Sequence, residues 1–529
     1  MNHNCDHSTI RGSADRPAPG LRLDNFTRRR FLGCVGGTVA LGGLGMLADL
    51  PASAASASRV AGAPLPRSVA LHVQPVLVYQ FAVRRERTSW RGYGGLQRPA
   101  DVERELKRLR SDFMQLTAQA EFPLELLPLR TISNPTELQA ACASACDAFL
   151  VCAASGSQQW IEALAATQKP NVLFVRHKSG PVYLYYEIAH WRLLRKSGDT
   201  KAEPNLDYDD VVVDEFGDVL WRLRALYGLK NARGTKVLAI GGLAAYSAPA
   251  QQLGPAHAQQ RWGYEIVTVT HEQIAQRLQQ ARNDAAAMQE AERQTAQLLA
   301  QRNVTLATER RFVVNSYVAL KVFQDLMQET GATNVGVAHC MVGLIPILDT
   351  PPCLVLSLLN DAGFTAFCHT DLSHTLPGVL LRWVSNKPSF VCNSHFPHHG
   401  VVTLAHCAAP RKMNGRDYEP TTLMTHYESD YGAATKVRYR KGQVITCLIP
   451  NLHCTKWFGF RGQIVDSPAF DMCRSQMDVA IQGDWRKLTR EMEGFHTVVC
   501  YGDYLREIGY ALQKVGGIEW RNYSEAGRA

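Results

Sequence analysis

The sequence predicts an α/β fold in which two regions built on parallel sheets precede a mainly β C-terminal region. Short apolar runs alternate with segments of helical period through the first two regions, as in parallel sheets covered by helices. From residue 334 onward, short β-rich runs separated by Gly and Pro dominate instead. The chain has 529 residues, 46% of them hydrophobic and 20% charged, which indicates a globular protein of two or three domains.

The first region, residues 64–180, carries the clearest alternation of strands and helices. Its predicted strands are Val69–Tyr79, Leu124–Leu129, Ala148–Cys152 and Asn171–Arg176. Its predicted helices are Pro99–Ala120 with Asp101 as N-cap, a helix opening at Asn134, and Gln158–Thr167. The repetition predicts a parallel sheet with helices on both faces.

The second region, residues 181–335, continues this pattern, and the third, residues 336–525, departs from it. The second region has predicted helices at Asp210–Tyr227, His271–Arg302 and Phe312–Thr330 and predicted strands at Lys236–Ile240 and Glu265–Thr270. The strand Asn334–Cys340 leads into the third region, where β-rich runs include Val401–Leu404 and Gln443–Ile449.

The first 57 residues have the form of an export signal. Thr27–Leu32 reads TRRRFL, an apolar stretch follows at Gly33–Ala48, and small-residue cleavage sites come at Ala52–Ala54 and Ala55–Ala57. This predicts a cleaved leader recognised by the twin-arginine export machinery and a periplasmic protein. A membrane anchor that is never cut is the alternative, although the apolar stretch is short for one. The net charge of +9 comes with no nucleic-acid-binding pattern, so no nucleic-acid partner is expected.

Histidine and cysteine are concentrated in the C-terminal third. Ten of the 17 histidines fall between His339 and His496, which predicts a polar, metal-binding site there. The group at His395–His399 lies among Pro, Gly and Asn and indicates an exposed turn. Nine of the 14 cysteines lie at or after Cys340 without any CxxC pair, so most are interpreted as buried free thiols.

A series of short stretches follows in order through the same third. They are Pro352–Leu354 with Ser357–Gly363, Cys368–Asp371, Leu404–Cys407 with Pro410, Thr425–Ser429, Gly442–Thr446, and Gly494–His496 leading to Tyr501–Tyr504. In these stretches the chain resembles the L-fucose/L-arabinose isomerase superfamily, and within it the fucose isomerase-like sugar isomerases. The resemblance implies two doubly wound α/β domains followed by a β-rich C-terminal domain. It also implies aldose–ketose isomerisation of a sugar, a divalent metal, typically manganese, and a homo-oligomer, a trimer or hexamer with active sites at subunit contacts.

The resemblance also implies metal ligands. Asp371 matches the Asp that ends the family's Cys-Glu-x-Asp-like motif, and His496 matches a late Gly-x-His ligand. His426 falls where arabinose-type members place a ligand His, and His406 lies beside the site. Ordinary structural roles remain open for each: a surface residue before a helix for Asp371 and a core histidine for His496 and His406.

The chain departs from the family at the proton-transfer residues. His369 stands where the motif has Glu, and no Glu occurs between Glu329 and Glu419. Asp349 is the carboxylate nearest to the expected place of a second catalytic Glu, so Asp349 and His369 are the catalytic candidates. A general acid–base contributes about 10²–10⁴-fold in rate. A sugar-binding protein on the isomerase scaffold, or another carbohydrate reaction such as a lyase or epimerase reaction, is therefore the alternative.

Overall fold

The structure is a computed structural model that describes residues 68–185 and 205–524, together with residues 66, 189, 193 and 194. The described residues belong to one compact unit. The predicted export signal lies outside the described residues.

A parallel sheet forms the first layer of the fold. Its strands are β1 (Leu71–Val78), β2 (Leu124–Leu126), β3 (Arg130–Ile132), β4 (Ala148–Ala153), β5 (Asn171–Val175) and β6 (Val211–Val213). The order is β2-β1-β4-β5-β6, and β3 also pairs with β1. The helices between them are α1 (Pro99–Gln119), α2 (Pro135–Cys142) and α3 (Gln158–Ala166), which confirms the predicted alternation.

A second parallel sheet follows in the order β11-β10-β7-β8. Its strands are β7 (Lys236–Ile240), β8 (Glu265–Val269), β10 (Asn334–Val337) and β11 (Thr365–Phe367). Helix α4 (Phe216–Ala232) packs on β1, β5 and β6 of the first sheet. The helices that follow, through the second region, are α5 (Ala248–Trp262), α6 (His271–Asn283), α7 (Ala285–Leu299), α8 (Arg310–Thr330), α9 (Ile345–Leu348), α10 (Cys353–Asp361) and α11 (Leu372–Ser385).

The C-terminal part is an antiparallel barrel. Its strands are β12 (Phe390–Ser394), β13 (Val401–His406), β16 (Val444–Pro450), β17 (Lys456–Asp466), β18 (Ser475–Gln482), β19 (His496–Tyr501) and the parallel edge strand β20 (Glu519–Asn522). The order β16-β19-β12-β13-β18-β17-β20 closes because β16 also pairs with β17. A small sheet joins β9 (Val304–Ala307), β14 (Thr421–Met424) and β15 (Ala434–Val437), and the last helices are α12 (Trp485–Glu491) and α13 (Leu505–Val515).

Four predicted boundaries were wrong. The predicted helix from Asp210 contains strand β6, and helix α4 begins only at Phe216. Asp101 is not the N-cap of α1: Arg98 is, and the Asp101 carboxylate accepts its backbone N–H at 2.9 Å. Asp284, with an extended ψ of 109°, divides the predicted long helix into α6 and α7. The strand before Cys340 ends at Val337, and a π-helical turn begins at Cys340.

Helix α11 is enclosed along its whole length. All fourteen of its residues are buried, and it packs against α4, α5 and β19. The barrel side is also joined to the first sheet by Asp210, which accepts hydrogen bonds from Tyr510 Oη (2.6 Å) and Lys514 Nζ (2.6 Å). The packing of α11 and the hydrogen bonds of Asp210 hold the two parallel sheets and the barrel in one unit.

Within the described residues, no single helix is long and apolar enough to cross a membrane. The bent pair Cys340–Leu348 and Cys353–Asp361, with 87° between its halves, meets that test by length and composition.

Candidate functional site

Three loops meet at the carboxyl edge of the second parallel sheet. They follow β7, β10 and β11, so they leave adjacent strands of one sheet in the same direction. This edge is where open α/β sheets place ligands. The loop after β11, residues 368–371, contains two of the site residues predicted from the sequence.

Asp371 anchors this edge. Its carboxylate caps helix α11 by accepting the Ser373 N–H at 2.8 Å and accepts the Tyr246 N–H at 3.2 Å from the loop after β7. The adjacent Thr370 hydroxyl accepts the Ala244 N–H at 2.7 Å. Asp371 is only 2% exposed, so the surface role considered for it is wrong, although it does precede a helix.

Four imidazoles, those of His369, His374, His406 and His496, gather beside Asp371 as a histidine cluster. His369 and His374 lie with Asp371 around the start of α11, whereas His406 ends β13 and His496 begins β19. The centroid of the His496 ring lies 4.9 Å from that of the His369 ring and also 4.9 Å from that of the His374 ring. The His369 ring is 5.4 Å from that of His374 and 6.0 Å from that of His406.

The histidine cluster is uncharged at neutral pH. Burial, together with the neighbouring imidazoles, lowers the pKa of His406 to about 4 and that of His496 to about 2. The same two causes hold the pKa of His374 well below 6.5. Burial also lowers the pKa of half-buried His369, although the Asp371 carboxylate opposes this shift. Neutral imidazole is the form that binds transition metals.

His374 is the least satisfied member of the cluster. It is fully buried, and neither Nδ1 nor Nε2 has a hydrogen-bond partner. A buried unsatisfied polar group costs about 1–3 kcal/mol. Such a group in a folded protein calls for an explanation, such as a bound ion or water.

His406 is oriented differently. The backbone N–H of Ala408 donates to its Nδ1 at 3.3 Å, so in the neutral ring the proton is on Nε2. This arrangement favours His406 as a hydrogen-bond donor rather than as a metal ligand.

An aromatic rim borders the cluster. The Tyr246 side chain is 70% exposed, and its ring lies 4.5 Å from that of Phe495 and 6.1 Å from that of His496. The cluster is therefore bordered by an exposed aromatic ring of the kind that packs against the apolar face of a ligand.

His426 belongs to a different group. It is hydrogen-bonded to Cys407, and its Nδ1 lies 3.2 Å from Ser429 Oγ. The thiols around it form a sulfur cluster of five cysteines: Cys340, Cys353, Cys368, Cys407 and Cys473. Hydrogen bonds from Cys473 and then His426 lower the pKa of the Cys407 thiol. Burial lowers the pKa of His426, but the hydrogen bond to Cys407 raises it, and the net effect is a raised pKa.

The other predicted residues lie elsewhere. Asp349 accepts hydrogen bonds from Asn315 Nδ2 (2.9 Å) and Tyr431 Oη and is paired with Arg311, a network in which no member of the histidine cluster takes part. The His395–His399 segment is an exposed turn, as the sequence predicts. The interpretation of the cysteines as free thiols is confirmed for the twelve described ones.

A divalent metal matches this donor set in chemistry but not in arrangement. The neutral imidazoles, the Asp371 carboxylate and the unsatisfied nitrogens of His374 fit one in chemistry. In the described ranges, however, no three or more His, Cys, Asp or Glu side chains are arranged so that they could hold an ion as they stand. The donor types fit, while their present arrangement is more open than a closed ligand sphere.

Comparisons with known proteins leave the family open. No model of a known protein family matches the sequence. No curated protein matches it either. The resemblance to sugar isomerases therefore stays a prediction.

Two features of the site were missed from the sequence. His374 follows Asp371 by three residues, a spacing that puts both around one helical turn, and that spacing was the available signal. The sulfur cluster unites cysteines that lie up to 133 positions apart in numbering, from Cys340 to Cys473, and no local spacing indicates it.

Proposed function

We propose that this protein is a metal-dependent carbohydrate enzyme of the aldose–ketose isomerase type, exported by the twin-arginine route. One observation carries the proposal: the neutral histidine cluster, with unpartnered nitrogens on His374, lies beside Asp371 at the ligand-binding edge of a parallel sheet. The isomerase type, the doubly wound form of both α/β regions and the oligomer come from the resemblance and are part of the proposal.

Three residues would hold the metal once their side chains close around it, which their present arrangement does not yet do: His374, His496 and Asp371. Imidazoles that share an ion at about 2.1 Å have ring centroids roughly 5 Å apart. The His374–His496 separation of 4.9 Å supports such a pairing. A divalent ion there would supply Lewis-acid polarisation of the sugar's carbonyl and hydroxyl oxygens.

His369 is the proposed proton carrier. It is half-buried and neutral, so its ring can accept the proton from C2 of the sugar and return it at C1. His406, with its proton on Nε2, would donate a hydrogen bond within the cluster. The exposed ring of Tyr246 would pack against the apolar face of the sugar. Asp349 has no role in this proposal.

The test measures metal content and sugar conversion on the same preparations. The wild-type protein is expected to retain one divalent ion and to convert an aldose to its ketose with manganese present. Asp371→Asn and His374→Leu should lose the ion and the activity. His369→Gln should keep the ion and lose the activity. His395→Gln, at an exposed histidine outside the cluster, is the matched control and should keep both.

The contrary results are equally specific. An Asp371→Asn protein that binds metal as the wild type does would refute the ligand assignment. Full activity of His369→Gln would refute the proton carrier. If Asp349→Asn kept the ion and lost the activity, the proton would pass through Asp349 instead.

A sugar-binding protein without catalysis is the second candidate. The engagement of Asp349 with Arg311, Asn315 and Tyr431 favours it, because that carboxylate is already committed elsewhere. This candidate predicts that the protein binds a monosaccharide in calorimetry without converting any member of a sugar panel, with or without manganese.

A further inference from the structure

Two thiols of the sulfur cluster face each other at the carboxyl edge of the second sheet. The sulfur atoms of Cys340 and Cys368 are 3.6 Å apart. A disulfide bond is about 2.05 Å long, so closure requires the two atoms to approach by roughly 1.5 Å. Both residues are free thiols in this structure.

The chain around both residues is suited to this approach. Cys340 begins a π-helical turn directly after His339, a residue in the left-handed region with φ 51°. Cys368 is the first residue after β11, which pairs in parallel with β10, the strand before Cys340. Each cysteine thus lies just beyond a strand end, where neither sheet pairing nor an α-helix fixes it from both sides.

Cys340 is also the more accessible of the two. It is half-buried, whereas Cys368 is buried, with 8% of its surface exposed. An external reagent would therefore reach Cys340 first and Cys368 would follow from within. This order resembles the attacking and resolving thiols of a redox pair.

We propose that Cys340 and Cys368 form a reversible disulfide when the protein meets a small-molecule disulfide. The Cys340 thiolate attacks one sulfur of that disulfide, forming a mixed disulfide and releasing one thiol. The Cys368 thiolate then attacks Cys340 Sγ, closing the protein disulfide and releasing the second thiol. Two protein thiols are oxidised, one external disulfide is reduced, and both protons leave on the released thiols.

The remaining thiols of the cluster are held differently. Cys407 is 1% exposed and accepts the Arg474 backbone N–H at 3.4 Å, in addition to its bonds with Cys473 and His426. Cys353 is buried as the first residue of α10. These contacts favour the Cys340–Cys368 pair as the one that closes.

The experiment treats the purified full-length protein with excess oxidised glutathione and maps its peptides without reduction. The expected result is one peptide pair joined through Cys340 and Cys368, a loss of two titratable thiols after denaturation, and recovery of both with dithiothreitol. Cys340→Ser and Cys368→Ala should each abolish the joined pair. Cys142→Ser, at another half-buried thiol, should leave it intact.

Three outcomes would overturn the proposal. One is a cross-link through Cys407 and Cys473 in place of the expected pair. Another is a wild-type protein in which Cys340 keeps glutathione or both thiols stay free. The third is a tightly bound metal that shields both thiols from alkylation until a chelator removes it. Because the mapping needs no activity, its failure is distinct from failure of the isomerase proposal. If Cys340→Ser does not fold, Cys368→Ala and the wild-type peptide map still decide the matter.

Discussion

Replacing His374 by leucine should stabilise the metal-free protein and abolish metal binding. The wild-type imidazole is fully buried and has no hydrogen-bond partner on either nitrogen. Leucine is apolar and of similar size, so it fills the same space without an unsatisfied polar group. Removing that group should raise the free energy of unfolding at pH 7.5 by about 1–3 kcal/mol.

The gain should grow as the pH falls. Burial holds the folded-state pKa of His374 well below its unfolded value of 6.5, so the unfolded chain takes up a proton first. The stability that depends on this neutral ring is complete above pH 6.5 and is lost as the pH falls toward the folded pKa. This loss adds to the gain from removing the unsatisfied group. The variant, which lacks the group, should therefore lead the wild type by more at pH 5 than at pH 7.5.

The assay is urea unfolding followed by tryptophan fluorescence, at pH 7.5 and pH 5, with EDTA present. The wild type and the variant must be compared with each other at each pH. The pH dependence of either protein alone is not enough, because Asp361 and Glu507 change the free energy of unfolding in the opposite direction between pH 5 and pH 7.5. Burial raises the pKa of each to about 7, so their contributions are lost as the pH rises. His395→Gln, at an exposed histidine, is the control and should follow the wild type at both pH values.

Two results would refute this reasoning. A variant less stable than the wild type at pH 7.5 would mean that His374 has partners in the folded protein. An advantage that is the same at both pH values would mean that the buried ring is not held neutral.

Five other substitutions test the helix cap at Asp371, a buried ion pair and two glycines. Asp371→Asn should lose the metal ion and cost about 1–3 kcal/mol, because its amide oxygen can keep the Ser373 N–H while its NH₂ group faces the Tyr246 N–H. Asp371→Ala, which loses both hydrogen bonds, should cost at least as much; urea unfolding and metal titration measure both effects. Lys514→Met should cost about 3–5 kcal/mol in urea unfolding because it leaves Asp210 buried without its cation; an unchanged midpoint would contradict the pairing. Gly432→Ala should cost about 2–5 kcal/mol, because a Cβ at φ 72° would also clash with the ring of Pro351. Gly442→Ala, at φ 82° with open space around it, should cost about 1 kcal/mol. Equal decreases in melting temperature for the two variants would contradict this difference.

The parallel sheets were predictable because their strands are buried on both faces. Such strands form continuous apolar runs, so β1 and β5 were found to within two residues at each end. Strand β6 was missed because its three residues, Val211–Val213, are separated from the apolar pattern of helix α4 only by Asp214 and Glu215. Asp284 was read as a helix interior residue because a polar, exposed position gives no periodic signal on either side of a break.

The site was predictable in its residue types and only partly in its composition. His369, Asp371, His406 and His496 do come together, although they were chosen from a resemblance and not from proximity. His426 was separated from them by its bond to a thiol, which no sequence pattern indicated. The cluster forms where the edge of the second parallel sheet meets barrel strands β13 and β19. That meeting depends on how the sheets, the helices and the barrel pack together, and the local spacing of residues in the sequence gives no signal for it.

The burial of α11 has a consequence for hydrogen exchange. Since all its residues are enclosed, its amide hydrogens should exchange only in the largest opening events of the molecule. Asp371 and His374 share the first turn of this helix, so a ligand gains no path to them through local fraying. A ligand would then reach these residues by movement of the loop that carries exposed Tyr246. The amide hydrogens of that loop should exchange orders of magnitude faster than those of the helix.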